Sequence, residues 1–288
     1  MSFVRRVLRF TITLGEGQFG DTASNQIVLS GHRALVNIAS YGGEAQGELN
    51  ARIYGLPISI INQLTTIGPI MTQIRGKNTI QVDAGDEGGT LSTIYNGTIL
   101  NAWGNFQGAP DAALVVQALG AGEAAVKPTA ATSYQGSTDV ATIMQGLAER
   151  MGMSFEGNGV NIQLSSPYFS GTLLDQVKAC AAAARINFVI EKNTLAIWPT
   201  FSSRSGNVPT VSPQSGLVGY PSFSSNGVLL KTIFLPDAKN GGLITVKNSS
   251  IPMANGTWTI YQVNHELASE FPDGPWFSNL GVWLNVNA

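Results

Sequence analysis

The chain has 288 residues, of which 43% are hydrophobic. It is therefore long enough for one to three globular domains and too apolar for a disordered chain. Only 12% of the residues are charged, against about 25% in ordinary soluble proteins. With a net charge of −2 and one small basic cluster, Arg5, Arg6 and Arg9, the composition argues against a nucleic-acid-binding surface, which needs about six or more phosphate contacts.

The low charge indicates permanent assembly, because charged residues are depleted in the cores of subunit interfaces. The alternative is a Gly-, Ser- and Thr-rich β protein that stays monomeric. Cys180 is the single cysteine, so no intrachain disulfide forms and a reducing compartment fits; its helical pattern predicts a buried, inert thiol. We expect no secretion signal, since Arg9 interrupts the apolar stretch after Arg6, and no membrane span.

Residues 1–119 are predicted to form a β-barrel or sandwich domain. Leu8, Phe10, Ile12 and Leu14 alternate with polar residues, the pattern of a half-buried strand. A short helix is predicted at Ile58–Thr66. Further strands separated by glycine-rich turns are expected at Gln26–Leu29, Ala34–Ile38, Leu49–Ile53, Thr79–Val82 and Thr93–Trp103.

Residues 120–200 are predicted to form a small α+β insert that opens with a linker, Gly120–Gly136. Apolar residues at helical spacing predict helices at Ser137–Met151, capped by Ser137 or Thr138, and at Thr172–Ala184, where Thr172 and Asp175 resemble a capping box. Strand-like sequence follows each helix, so we expect two tandem helix–hairpin units. The strands predicted are Met153–Phe155 with Val160–Leu164, and Asn187–Ile190 with Leu195–Trp198.

Residues 201–288 are predicted to form a second β-barrel domain after a linker, Phe201–Ser215. In Thr257–Leu267 the residues Trp258 and Ile260 alternate with Val263 and His265, which predicts that the two pairs lie on opposite faces of a strand. The other strands expected here are Val228–Phe234, Leu243–Val246 and Phe277–Asn285.

Two glycine- and acid-rich segments resemble ligand sites. Gly15–Gly20 matches GxGxxG after a strand, but no amphipathic helix follows, so we predict a hairpin loop and no dinucleotide site. Asp83, Asp86 and Glu87 form a group of oxygen ligands without the spacing of an EF-hand, for which a solvated turn is the main interpretation and a different calcium site the alternative.

No arrangement of residues indicates catalysis. His32 and His265 are the only histidines, which is too few for a histidine-rich zinc site; no GxSxG motif is present, and His265 is expected to be a partly buried strand residue. Glu266 and Glu270 are close in sequence, as carboxylates at strand ends often are. We therefore predict no enzyme, and no catalytic, cofactor-binding or metal-binding residues.

The last third of the chain resembles phage baseplate hub proteins of the T-even type. The resemblance follows the order of Leu217–Pro221, Gly227–Pro236, Gly241–Val246, Gly256–Leu267 with its Val-x-His pattern, and Gly274–Leu280 with Trp276 opening the last strand. The helix–hairpin units, with Trp198-Pro199 ending a strand, also resemble that family's insert, so the similarity covers about residues 137–285. The first third matches only in its β character.

The resemblance implies a virion protein, assembled in the host cytoplasm, with two barrel domains related to the tail-tube fold. Such hubs are homotrimers whose barrels form a pseudo-sixfold ring between the hexameric tail tube and the trimeric central spike. The implied partners are sister copies, the tube or tube-initiator protein, the spike and other baseplate proteins, with no cofactor, membrane or specific nucleic acid. Interface residues remain unknown. The alternatives are a carbohydrate-binding tail or surface module and a cell-wall hydrolase.

Overall fold

The computed structural model describes residues 4–20, 24–65 and 78–284. Strands predominate over helices in these residues, which confirms the predicted mainly-β class. The arrangement of the strands as two barrels stays a prediction. Within the described ranges, no helix has the length and apolar character needed to cross a membrane.

The first part of the chain alternates short strands with tight turns, and most predicted elements are present there. The one helix of this part that the structure describes agrees with the helix predicted from Ile58, whose proposed end, Thr66, lies outside the described residues. The elements are β1 Arg6–Thr13, β2 Gln26–Ser30, β3 Ala34–Ser40, β4 Glu48–Tyr54, α1 Ile58–Leu64, β5 Thr79–Asp86, β6 Ser92–Asn105 and β7 Ala113–Leu119.

The middle of the chain holds the longer helices and several strands of two to six residues. A short helix, α2, lies within the segment predicted as a linker. The elements are α2 Gly122–Val126, β8 Thr132–Ser133, β9 Ser137–Asp139, α3 Val140–Arg150, β10 Ser154–Glu156, β11 Gln163–Ser165, β12 Tyr168–Phe169, α4 Leu173–Ala184, β13 Ile186–Glu191 and β14 Thr194–Pro199.

The last part of the chain is again β, and two strands in it are long. The predicted linker before it contains a two-residue strand. The elements are β15 Thr210–Val211, β16 Ser222–Ser224, β17 Gly227–Ile233, β18 Leu243–Val246, a 3₁₀ helix Pro252–Ala254, β19 Gly256–Ser269 and β20 Trp276–Leu284.

The chain divides into two compact units. Unit 1 comprises residues 1–39, 48–123 and 265–277, and unit 2 comprises residues 40–47, 124–264 and 278–288. Strands β19 and β20 therefore contribute residues to both units. The boundaries predicted after residues 119 and 200 stay a prediction.

Unit 1 is built on antiparallel strands in the order β3-β4-β7-β6-β5-β1-β2. The predicted alternation in β1 is confirmed: Leu8, Phe10 and Ile12 are all buried. They face the same core as Ile80 and Val82 of β5, whose register with β1 places Ile12 opposite Ile80 and Phe10 opposite Val82. Each fully buried aliphatic or aromatic side chain of this kind contributes about 1.5–3 kcal/mol to folding.

The helices of unit 2 begin at polar caps. The side chain of Asp139, and not Ser137 or Thr138 as predicted, caps α3 by accepting a hydrogen bond from the backbone N–H of Thr142. The predicted capping box of α4 is confirmed: Thr172 accepts from the Asp175 backbone, and Asp175 accepts from the Thr172 backbone. The predicted apolar stripes are buried in both helices, except for Met151, which follows α3 and is partly exposed.

Only one of the two predicted helix–hairpin units exists. β13 and β14 form the second hairpin, whose turn residues Lys192 and Asn193 both have positive φ angles, as a type I′ turn requires. The first hairpin is wrong, since β10 pairs in parallel with β14 and β11 pairs with β9. β10 and β11 therefore belong to two different small sheets. These pairings depend on contacts between residues that are far apart in the sequence.

The two pairs of residues that were predicted to lie on opposite faces of β19 are both buried. Trp258 and Ile260 are buried, but so are Val263 and His265, two positions that simple alternation places on the other face. The buried side of the strand changes between Ile260 and Val263, where both intervening residues are partly exposed. The apolar core of unit 2 includes Ile260 and Val263 together with Val228, Leu230, Ile244, Val246, Leu280 and Val282.

Candidate assembly surfaces

The GxGxxG match lies in a hairpin loop. Gly15–Gly20 follows β1, and β1 pairs antiparallel with β2 in a register that includes Thr13 opposite Gln26. No helix begins in the described part of the connection, so no helix N-terminus is present there to bind a pyrophosphate. The hairpin prediction is confirmed.

Asp83 and Glu87, at the end of β5, are engaged in hydrogen bonds and ion pairs with neighbouring side chains. Asp83 is buried, and its carboxylate accepts hydrogen bonds from Arg9, Gln81 and Thr93 at 3.0, 2.9 and 2.7 Å. The Glu87 carboxylate is bound by Arg5 at 3.2 Å. The described residues contain no group of three or more His, Cys, Asp or Glu side chains that could hold a metal ion.

The two histidines and the cysteine have structural surroundings. Nδ1 of His32 lies 3.2 Å from the backbone carbonyl oxygen of Tyr54, and His265 is buried in β19. Cys180 is fully buried on α4, and burial raises the pKa of its thiol to about 12. A thiol with so high a pKa carries almost no thiolate at neutral pH, so it is a poor nucleophile.

The arginines of the amino-terminal cluster each have a protein partner in unit 1. Nε of Arg5 donates to Glu270 at 2.7 Å, and Arg9 pairs with Asp83 at 2.9 Å. The guanidinium of Arg6 lies 5.6 Å from the ring centre of Trp276. These contacts leave the cluster poorly suited to binding phosphates.

Unit 2 contains a cavity of about 240 Å³ lined by ionisable side chains, here called the charged cavity. Arg204 is at its centre and is almost completely buried. Its guanidinium binds Glu156 at 2.9 Å and also binds Glu191. The lining residues with ionisable side chains are Glu156, Glu191, Lys192, Arg204, Asp237 and Lys239.

Convergent ionisable groups can also indicate an active site, but the pairing here is that of a structural network. One guanidinium binds both glutamates, and Nη1 of Arg204 also donates to the Asn240 carbonyl oxygen at 3.0 Å. Burial opposes ionisation of Glu156, but attraction to Arg204 outweighs it and holds the pKa of Glu156 below its ordinary value. Burial lowers the pKa of Lys192, whose ammonium donates to the Pro236 carbonyl oxygen at 2.9 Å.

Strand β16 forms an exposed sheet margin in unit 2, here called the apolar edge, defined by Tyr220, Phe223, Leu229 and Ile233. Among the described strands, β16 pairs only with β17. Phe223 is 58% exposed on the same side as buried Val228, whereas Leu229 and Ile233 are exposed on the other side of β17. The three residues of β16 carry no charge, although Pro221 directly precedes the strand and Lys231 lies between Leu229 and Ile233 on the exposed side of β17.

A line of four amide side chains crosses the solvent side of the sheet in unit 1. The strand registers place Asn37 opposite Asn50, Asn50 opposite Gln117, and Gln117 opposite Asn101. Gln117 donates to Asn50 and Asn101 donates to Gln117, both at 3.3 Å. We call Asn37, Asn50, Asn101 and Gln117 the amide row.

Three members of the amide row, Asn37, Asn50 and Gln117, line a shallow groove of about 510 Å³. The next row of the same face contains Leu35, Arg52, Val115 and Trp103, in matching register. Trp103 is 39% exposed. Glu266 also lines the groove, which therefore combines neutral hydrogen-bonding groups, one cation, one carboxylate and an aromatic ring.

Neither the charged cavity nor the amide row has a local signal in the sequence. Glu156, Glu191 and Arg204 belong to three segments, and the four amides belong to four strands. The strand registers bring the four amides together, and the packing of unit 2 brings Arg204 to the two glutamates. The apolar edge has a partial signal in the sequence, since Tyr220–Gly227 contains aromatic residues and no charge.

The chain matches a family model described as "Baseplate hub gp41" over residues 7–278. A search of curated proteins returned no match. The family match therefore includes the first third of the chain, where sequence motifs gave no resemblance.

Several solved structures share the fold. The tail protein from Neisseria meningitidis MC58 is 9% identical, with a TM-score of 0.62 over 96% of each chain. The 43 kDa tail protein of prophage MuSo2 from Shewanella oneidensis is 10% identical, with a TM-score of 0.58 over 95% of this chain and 96% of that one.

The E. coli c3393 protein is described as a component of the type VI secretion system with structural similarity to the T4 bacteriophage tail proteins gp27 and gp5. It is 12% identical, with a TM-score of 0.57 over 88% of this chain and 73% of that one. At these identities the similarity shows the fold alone.

Proposed function

This chain belongs to the baseplate hub gp41 family and is a structural component of a phage tail, and we propose that it forms a homotrimeric ring that joins the tail tube to the central spike. In this ring two barrel domains from each chain form a pseudo-sixfold layer, which matches a hexameric tube on one side and a trimeric spike on the other. The proposed partners are sister copies, the tube or tube-initiator protein, the spike and other baseplate proteins.

The apolar edge is the observation that supports assembly most directly. Its side chains are exposed on both sides of the sheet margin, so a partner docked on one face alone would leave the other side in water. A strand added beside β16 would cover both sides and satisfy the free backbone groups of the edge. We propose that a sister copy supplies that strand, and subunit contacts of a permanent ring bury roughly 2,000–5,000 Å².

The proposed role needs no catalysis and no cofactor. Glu156, Glu191, Arg204 and Lys239 of the charged cavity form ion pairs with one another, and Arg204 also donates to the backbone carbonyl oxygen of Asn240 in the loop before β18. Such a network fixes the relative positions of segments of the fold within unit 2. These contacts support a structural role for the cavity.

The mass of the full chain in solution, alone and coexpressed with the other tail proteins of its particle, tests the proposal. Native mass spectrometry should give a species of about three times the chain mass of 30.4 kDa. Phe223→Asp combined with Ile233→Asp should shift that species to monomer, because charge at the apolar edge opposes its burial. Met253→Asp, at an exposed apolar residue of unit 2 outside this edge, is the control.

A monomer in the presence of all partners, or a dimer, would contradict the trimeric ring. Equal loss of the trimer in the Met253 variant would show that the apolar edge has no special part in assembly. Far-ultraviolet circular dichroism of each variant checks that the fold is retained.

A carbohydrate-binding tail module is the second candidate, and the exposed ring of Trp103 beside the amide row favours it. Aromatic faces and amides are the groups that bind sugar rings and hydroxyls. Titration calorimetry with peptidoglycan and lipopolysaccharide oligosaccharides tests this candidate. Binding that disappears in Trp103→Ala would support it; cleavage of the oligosaccharides would instead indicate the hydrolase.

A further inference from the structure

The proposed ring has an axial channel, and the strand registers single out one face of unit 1 that fits the channel wall. The solvent side of β3, β4, β7 and β6 carries the amide row, while the opposite side of the same strands is buried. We infer that the amide-row face lines the channel and allows a polyanionic duplex to pass without tight binding. The inference rests on the proposed function, because only an assembled ring has a channel.

The amide row is better suited to a wet surface than to a subunit contact. Asn37 and Asn50 are exposed, and only two hydrogen bonds connect the four amides. Burial against a second protein would remove water from the remaining donors and acceptors, which costs free energy wherever they are not paired again. A water-filled channel carries no such cost, and the apolar edge offers a surface better suited to contact.

The charges on this face are too few to hold a nucleic acid. Arg52 is the one cation beside the amide row on the described strands β3, β4, β7 and β6, and Glu48 is exposed on the same side of β4. A trimer would offer about three such arginines, fewer than the 6–10 phosphate contacts of a tight non-specific complex. Neutral amides add hydrogen bonds to phosphates without the counterion release that drives such binding.

Distances between equivalent labels in the trimer test this placement. In a threefold ring the distance between equivalent residues increases with their distance from the axis, so a channel residue gives the shortest value. Cys180 is the only cysteine and is buried, and Cys180→Ala removes it. Single cysteines are then introduced by Asn50→Cys and, as the comparison site within unit 1, by Val28→Cys at an exposed position of β2, five strand positions away from β4 in the same sheet.

Pulsed electron spin resonance on the spin-labelled trimers should give a shorter distance at residue 50 than at residue 28. The difference should reach about 10 Å or more, since five strand spacings of about 4.8 Å separate β4 from β2 in the sheet. An equal or longer distance at residue 50 would overturn the inference, as would dissociation of the trimer on labelling Asn50→Cys. Failure of the unlabelled chain to form a trimer would instead contradict the proposed function, independently of the labels.

Added charge gives a second test on the assembled particle. Asn50→Lys with Gln117→Lys should slow genome release by tenfold or more at low salt, with recovery at high salt, because each trimer gains six cations on the channel wall. Asn50→Gln with Gln117→Asn keeps the face neutral and should release the genome at the wild-type rate. Equal release by the lysine and the neutral variants would contradict the inference, as would glycan binding that depends on Asn50.

Discussion

Arg204 binds two carboxylates that lie 35 residues apart in the chain and a carbonyl oxygen from a third segment. The Glu191 side chain is almost as buried as the guanidinium, whereas Glu156 is more than one-third exposed. Removal of the arginine therefore affects the two glutamates differently. Glu156 can be solvated by water, but Glu191 would be left as a buried charge without its partner.

We predict that Arg204→Ala destabilises the protein by about 3–5 kcal/mol, the cost of leaving a buried ion-pair partner uncompensated. Urea unfolding followed by circular dichroism measures the change. Adding Glu191→Gln to Arg204→Ala should recover part of the loss, because the unpaired charge is then gone. Lys247→Ala, at an exposed lysine outside the cavity, is the control, and a loss of similar size there would contradict the prediction.

Acid should weaken the same network through Glu156. Its pKa in the folded chain lies below the ordinary value of 4.5, so the ionised form stabilises the fold above that pH. This contribution is lost as the pH falls below about 4.5 through the folded-state pKa, because the unfolded chain then binds more protons than the folded one.

The free energy of unfolding, measured by urea titration between pH 7 and pH 3, should therefore fall less steeply with acid in Glu156→Gln than in the wild type. The variant should also be less stable at pH 7, since Arg204 loses one ionic partner. Identical pH slopes for the two proteins would show that Glu156 does not couple folding to protonation.

Among the elements, α4 owes its start to a single local motif. Thr172 and Asp175 satisfy each other's backbone N–H groups, with bonds of 3.2 and 3.0 Å. We predict that Thr172→Ala costs about 1 kcal/mol of stability, as the loss of a helix N-cap does. Thermal and urea unfolding measure it; Thr172→Ser should retain most of the stability, and exposed Ser202→Ala should be neutral. No loss in Thr172→Ala would contradict a stabilising cap.

The sequence predicts elements well where one local cause decides them. The α4 helix has its cap and apolar stripe within 13 residues, and the β13–β14 hairpin has a two-residue turn. The first predicted hairpin failed because β10 and β11 pair with strands far away in the chain. In β19 the buried side changes inside the strand, which a period of two cannot represent.

The candidate surfaces are harder to predict from the sequence than the helices and strands are. Asn37 and Asn101 are 64 positions apart, and their alignment depends on three strand pairings, one of which has a register shift. The ion pairs of Arg204 likewise depend on the packing of unit 2. Composition nevertheless favoured assembly, because a low share of charge leaves uncharged stretches with exposed aromatic residues, such as Tyr220–Gly227.

At the scale of the whole molecule, charge determines how strongly the protein binds nucleic acid. The net charge is −2, and the three arginines of the amino-terminal cluster have partners in unit 1. We predict that duplex DNA binds the protein more weakly than a Kd of about 10⁻⁴ M at physiological salt, the weak end of non-specific binding. Fluorescence anisotropy with a labelled duplex measures this; a micromolar Kd that weakens steeply with salt would contradict it.

The amide row has a consequence for the conditions in which the particle operates. Asparagine and glutamine do not titrate, so neither mild acid nor mild alkali alters their charge or their hydrogen-bonding capacity. Acid that protonates Glu156 would leave these four side chains as they are at neutral pH. The amide-row face would thus present the same neutral hydrogen-bonding groups to whatever passes it, from mild acid to mild alkali.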